Sequence, residues 1–495
     1  MLAVSITTFI NHDTTNGGIA RVDAACRVGM RWESMNGVRL GKGASRSAGK
    51  PFFSRSGREE IGVLSASGDG GGLIGLAGRS DLTGLSEVVA ALVSARHVPG
   101  AQCALWQRGQ LVAVCSGTAE HGTGRPVTPD LAFPIGSIGK AFTATTAMVL
   151  VADGDLDLDE PVGAHVPELH GKDTAAITLR QLLSHTSGLE SGPDGGPSMR
   201  RLVARAGLIQ PPGRDFSYSN AGFVLVGSLI EAVTGMTWFA AVESLVLRPL
   251  GIEPAFVVGP ATGRPIATGH AGRARPVDQN ITLAEAPAGA LAASATDLVA
   301  FGRMLLDGGD ILPYELARLM RQPVADAFGL ADAWGLGLAV FDGLAEKKWI
   351  GHDGTGDGTW CQLRIDPVTG TVVALTCNSS AGAGLWDDVV DELGRRGLPI
   401  PSGSLTAVPD VVLSPPAGCA GSYWNGDTEY SIAADLVFSV DGDPQATITF
   451  HRDLTFSLED DQTGQRLYAG RCLKNPETGE IDRIHVNGRL ALARR

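Results

Sequence analysis

No stretch of this 495-residue chain approaches the ~20 consecutive apolar residues that crossing a bilayer requires. The opening "MLAVSITTFINHD" lacks a basic n-region and a clear cleavage site, so the expected compartment is the cytoplasm. Positive charge is short: 40 Lys and Arg against 53 Asp and Glu leave a net charge of −13. That balance speaks against nucleic acid or a membrane surface as partner, since both are recognised through dense cationic patches. Cysteine is sparse as well. Seven residues, an odd number without a C-x-x-C pair, suit neither a disulfide framework nor a zinc site. Cys103 and Cys115 flank one turn and Cys361 and Cys377 another, and all four read as buried thiols acting as small hydrophobes. The remaining expectation is a soluble protein that acts on a small, peptide-like ligand.

What is present is material for a large core, with 44% hydrophobic residues against 19% charged, and enough length for two or three structural units. Residues 1–78 are basic, rich in Gly and Ser and without sustained period, so they are expected to be a flexible extension that adds nothing to the fold. Residues 79–400 begin with a helical pattern through Leu82, Leu85, Val88, Val89 and Leu92, then two β-runs, "AQCALWQ" and "QLVAVCSG", meeting at Arg108-Gly109. A helix from Ser137 to about Asp153, closed by Gly154, leads into a helical middle. Further β-runs and the helix "GLWDDVVDELGRRG" complete this part. The order predicts an α/β (α+β) domain whose antiparallel sheet is assembled from both chain ends around a helical lobe. A Pro-rich linker at 401–417 separates it from residues 418–495, where short alternating strands and the hairpin signal Asn487-Gly488 predict a small β-barrel.

The chemistry starts at "FPIGSIGKAFTA". A serine hydroxyl needs a base within hydrogen-bond reach, and residues three apart on a helix share a face, so Ser137 and Lys140 can touch. Apolar neighbours would lower the lysine's pKa far enough for it to take the serine proton. Alone, S-x-x-K is common, and an N-capping serine beside a solvated lysine explains it equally well. Two further stretches raise its standing. "DFSYSNAGF" sets Tyr218 and Asn220 on alternate positions before an apolar helix, where they can enter one cleft, although a packed tyrosine and a capping asparagine also fit. "WIGHDGTGDGTW" offers His352, Asp353 and Gly354 on a strand, with Gly354 small enough for substrate backbone to approach.

S-x-x-K, Y-x-N and H-x-G in this order resemble the penicillin-binding-protein and class C β-lactamase superfamily of serine acyl-transfer enzymes, across about residues 80–400. The resemblance implies a five-stranded antiparallel sheet flanked by helices. It also implies Ser137 as nucleophile, Lys140 as its proton partner, Tyr218 as proton relay and Asn220 as holder of the substrate amide. His352 would stand where many relatives have lysine, lending a proton or positive charge, and the backbone N–H groups of Ser137 and Thr355 would form the oxyanion hole. Asp353 departs from the threonine of relatives that bind a free carboxylate; pointing into the cleft it would repel one, and pointing behind the strand it would matter little. A catalytic domain followed by a barrel is also similar to the penicillin-binding-protein-type thioesterases, which release and cyclise nonribosomal peptides held on carrier proteins, and the tail resembles their lipocalin-like domain. No metal or cofactor is implied. Other expectations are an esterase or D-amino-acid peptidase of the same superfamily, and a ligand-binding module that retains the fold. A G-x-S-x-G elbow is absent, since Ile135 holds the first glycine's place, and the glycines after His352 precede a β-run where a phosphate loop would need a helix.

Overall fold

Arg108 and Gly109 both adopt left-handed backbone, φ 52° and 78°, the type I′ geometry whose twist suits a two-residue hairpin. Strands Gly100–Gln107 and Gln110–Gly117 therefore pair tightly, with Gln107 opposite Gln110 and Gly100 opposite Gly117. The structure is a computed structural model that describes residues 62–65 and 83–494, apart from 193–197, 273, 345–346, 404–410 and 460–465. On the other side of Gly100–Gln107 lies Thr371–Cys377, followed by Thr359–Asp366 and Lys348–Gly356, all antiparallel. These long strands are the expected sheet drawn from both chain ends.

Short edge strands extend the sheet to eight. Ala339–Asp342 and Ala333–Trp334 continue it beyond Lys348–Gly356. On the opposite edge Gly62–Ser65 pairs in parallel with Gln110–Gly117. That strand corrects the expectation that the N-terminal stretch adds nothing to the fold. Its sequence, GVLS, is too short to show a period, yet an open sheet edge offers unpaired backbone groups for it to join. The other residues of 1–78 lie outside the described ones.

Helices cover both faces of the sheet, which is why a strand such as "TVVALTC" is buried at every position instead of alternating. Cys103, Leu105, Val373 and Leu375 pack with Leu85–Ala95 and Gly382–Arg395 on one face. Ala104, Val372, Ala374 and Ile365 pack with Ala295–Asp307 and the helical lobe on the other. The six described cysteines are free, and burial pushes the Cys103 and Cys377 thiols up to about 12, as befits inert packing groups. Among the described residues no single helix is long and apolar enough to cross a membrane.

The C-terminal region is a closed barrel whose eight strands follow chain order from Gly421–Asn425 to Arg489–Ala493. Its interior is filled by Tyr423, Tyr430, Phe438, Phe450, Phe456 and the aliphatic side chains between them. The connection to it is pinned where it leaves the sheet-and-helix region. Arg364, buried in the sheet, donates through Nε to Pro401 O (3.1 Å) and through Nη2 to Ser402 O (2.9 Å), and Trp386 Nε1 donates to Ser402 O (2.7 Å).

Candidate active site

Gly136 turns the chain into the nucleophile helix. Its φ is +50°, and a Cβ there would stand 2.2 Å from Thr355 O, so only glycine lets the third-motif strand lie this close. A 3-10 turn, Gly136–Ile138, runs directly into the α-helix Gly139–Ala152 and sets Ser137 one turn ahead of Lys140. Lys140 Nζ lies 3.2 Å from Ser137 Oγ and donates to Ala288 O at 2.7 Å. The amine has no exposure at all. Burial holds its pKa well below the usual lysine range, the Arg489 charge lowers it further, and Glu285 opposes them weakly. A neutral amine that gives one N–H to Ala288 O keeps a lone pair for the serine proton, which is the state a general base needs.

In the second motif Ser219, and not Asn220, caps the helix Asn220–Thr234, its Oγ accepting from Gly222 N at 3.0 Å. The Asn220 carboxamide is thereby released from the capping duty that the sequence also allowed. Its Oδ1 is buried and makes no hydrogen bond among the described residues, so it is fit to accept a substrate N–H. Tyr218 hydrogen-bonds Ser137 with its hydroxyl. Burial pushes the phenol up to about 12, against the lowering effects of that bond and of Arg489, so it enters the reaction protonated. Lys140 Nζ is 5.1 Å from the Tyr218 ring centroid.

In the third motif His352 and Gly354 differ from expectation, and the alternatives left open for Asp353 are decided. His352 Nδ1 donates to Asp353 O (2.6 Å), which leaves Nε2 as a bare, buried lone pair without a partner among the described residues. Burial and then the Lys140 charge push this imidazole down to about 3, so it is a neutral acceptor and not the cation that the substitution for lysine implied. Asp353 does not offer a free carboxylate to the cleft, because Arg364 Nη1 and Nη2 both donate to it. Gly354 makes room for the protein's own backbone: a Cβ there would be 1.9 Å from Ile135 O and 3.0 Å from Ile138 Cγ1. The close approach of Thr355 to Gly136 brings together the two backbone segments, Ser137 and Thr355, from which an oxyanion cradle would be built.

Residues 85–391 match the beta-lactamase family. The chain belongs to that family. It is a serine hydrolase of the penicillin-binding-protein and β-lactamase superfamily. Penicillin-binding protein 4 of Amycolatopsis lactamdurans is 33% identical over 332 residues, 61% of this chain and 87% of the relative. Among solved structures SurE matches with a TM-score of 0.75 and 39% identity, covering 83% of this chain and 98% of SurE, and SurE has also been solved with D-Leu. The D-amino acid amidase of Ochrobactrum anthropi SV3, solved with D-phenylalanine, matches with a TM-score of 0.55 and 26% identity over 63% of this chain and 99% of its own.

Some of the site comes from outside the three motifs. Arg489, the first residue of the barrel's last strand, places its guanidinium 5.6 Å from the Tyr218 ring centroid. Its side chain is buried, and among the described residues the guanidinium makes no ion pair or hydrogen bond. The Asn487-Gly488 signal identified its hairpin, but nothing in the sequence said where that hairpin would dock. His185, from "LLSHTSGL", and Trp334 wall the same space: His185 lies 4.3 Å from the Tyr218 ring, and Trp334 lies 5.1 Å from both His185 and His352. Their only advance signal was an aromatic or imidazole in an apolar run, which a packed core explains as well.

Proposed function

We propose that the protein is a thioesterase that takes a peptide-like acyl group onto Ser137 and releases it as a macrocyclic nonribosomal peptide. The observation that carries this reading is Arg489, a buried guanidinium supplied by the barrel to a cleft that already holds Lys140. A buried cation with no counter-ion among the described residues favours a substrate rich in carbonyl or carboxylate oxygen, as a peptide chain is. The likeness to SurE supports it, since it covers 83% of this chain, more than the catalytic region alone, and SurE has been solved with D-Leu.

The steps follow from the geometry. Ser137 Oγ attacks the thioester carbon while its proton passes to neutral Lys140, and the negative charge that develops on the carbonyl oxygen rests on the Ser137 and Thr355 N–H groups. The C–S bond breaks, and the sulfur leaves as a thiol with the proton relayed through Tyr218. Asn220 holds the acyl chain through its amide. An amine from the other end of the same peptide then attacks the ester carbon, loses its proton through the same relay, and returns Ser137 to the hydroxyl form. The buried His352 Nε2 accepts a hydrogen bond from the incoming amine.

Hydrolysis of a D-amino-acid amide or ester is the second reading, favoured by the likeness to the D-amino acid amidase. Turnover of an N-acetylcysteamine thioester of a linear peptide with a C-terminal D-residue, followed by mass spectrometry, separates the two. Cyclic product from the D-epimer, with the L-epimer left largely intact, is expected. Exclusive linear acid from the thioester, with rapid cleavage of a D-amino-acid amide, would establish the hydrolase instead.

A further inference from the structure

The loop that delivers Tyr218 is bonded to the barrel at each successive residue. Asp215 accepts from Arg483 Nη1 (2.9 Å), Phe216 O from His485 Nε2 (2.7 Å), and Ser217 Oγ from Leu490 N (3.3 Å), while Tyr218 N donates to Gly488 O (2.8 Å). Asn487 and Gly488 take left-handed backbone, φ 48° and 72°, so the two-residue turn fixes where that Gly488 carbonyl points.

Two uncharged barrel side chains, His485 and Asn425, also direct polar atoms to groups outside the barrel. His485, 2% exposed, accepts from Arg471 Nη2 at Nδ1 (3.4 Å), so its proton sits on Nε2 and is donated to Phe216 O. Asn425, 3% exposed, donates to Leu490 O (2.7 Å) and accepts Ser191 N (2.6 Å). Ser191 in turn donates through Oγ to Tyr218 O (3.3 Å) and accepts Asn220 N (2.9 Å). Burying an imidazole and a carboxamide is unfavourable unless their hydrogen bonds are made, and here those bonds run to the loops on either side of the Y-x-N motif.

We infer that the barrel is a positioning element for the proton relay: His485 and Asn425 hold Phe216 and Ser191, and through them keep the Tyr218 hydroxyl against Ser137. The inference rests on the roles proposed above for Ser137 and Tyr218. Neither His485 nor Asn425 touches reacting atoms, so their effect is expected to pass entirely through the tyrosine.

The test is the rate of Ser137 acylation by the N-acetylcysteamine thioester of acetate, whose sulfur leaves with the relayed proton, read from the burst of released thiol, with Ser137→Ala as control and circular dichroism to confirm folding. His485→Leu is expected to slow acylation on the order of 10- to 100-fold, the cost of a displaced catalytic group. His485→Gln, which keeps an N–H donor, is expected to recover most of that loss. In a Tyr218→Phe background His485→Leu is expected to change the rate by no more than about twofold, since mutations acting through one group are not additive. An equal loss in both backgrounds, or a folded His485→Leu protein with an unchanged rate, overturns the inference. If His485→Leu does not fold, Asn425→Leu enters the same cycle. A burst that persists in Ser137→Ala would instead overturn the site assignment on which the inference rests.

Discussion

Lys140 sits where a charged amine is unfavourable: it has no exposure, and Arg489 adds a second positive charge to its surroundings. In the proposed mechanism the catalytic form is the neutral one, so the rate is expected to fall as pH drops through the lysine's lowered pKa. Arg489→Met removes one of the two influences that lower that pKa and therefore raises it. The acid limb of kcat/KM against pH is expected to move to higher pH in the variant, measured on a small ester that does not need the guanidinium for binding. A limb that stays in place or moves down would show that the arginine does not tune the lysine. The pairing of Ser137 with Lys140 was legible in the sequence, because three-residue spacing on a helix leaves little choice. The charge state of His352 was not. It depends on which nitrogen Asp353 O engages and on how deeply the ring is buried, and neither is written in H-x-G.

At the level of elements, alternation and turn residues recovered the hairpin at Arg108-Gly109, the nucleophile helix and the closing strands, since each has a local cause. What they missed were arrangements set by partners distant in sequence. Gly62–Ser65 becomes a strand only because the edge of Gln110–Gly117 is open to it. Asp353 is drawn to Arg364, eleven positions along and on the neighbouring strand. Gly354 looked like an opening for substrate backbone, yet the backbone it admits is Ile135 and its carbonyl. Gly354→Ala is therefore expected to force the strand away from the nucleophile turn, with a stability loss of ~1–3 kcal/mol in urea unfolding, typical of overpacking. Acylation should fall along with it, as Thr355 is carried away from Ser137. A variant with native stability and full activity would mean that the two segments are not held as closely as this.

For the whole molecule, the C-terminal barrel was legible from short alternating strands and the Asn487-Gly488 turn, and so was the superfamily from its three motifs. The joint action of the barrel and the sheet-and-helix region was not, because an Asn-Gly turn announces a hairpin without naming its neighbour. In the folded chain that hairpin brings Arg489 to the cleft and Gly488 O to the Tyr218 amide, so Ser137, Tyr218 and the Arg489 guanidinium, the proposed nucleophile, relay and substrate anchor, come from three distant parts of the sequence. The measurement that bears most directly on this assembly is the intact mass of the protein after brief mixing with a peptidyl thioester, with Ser137→Ala and Lys140→Ala alongside. One acyl adduct on the native chain, mapped to Ser137 and missing from both variants, is the expected result. An adduct that forms equally on Ser137→Ala would place the nucleophile elsewhere and undo the assignment of the site.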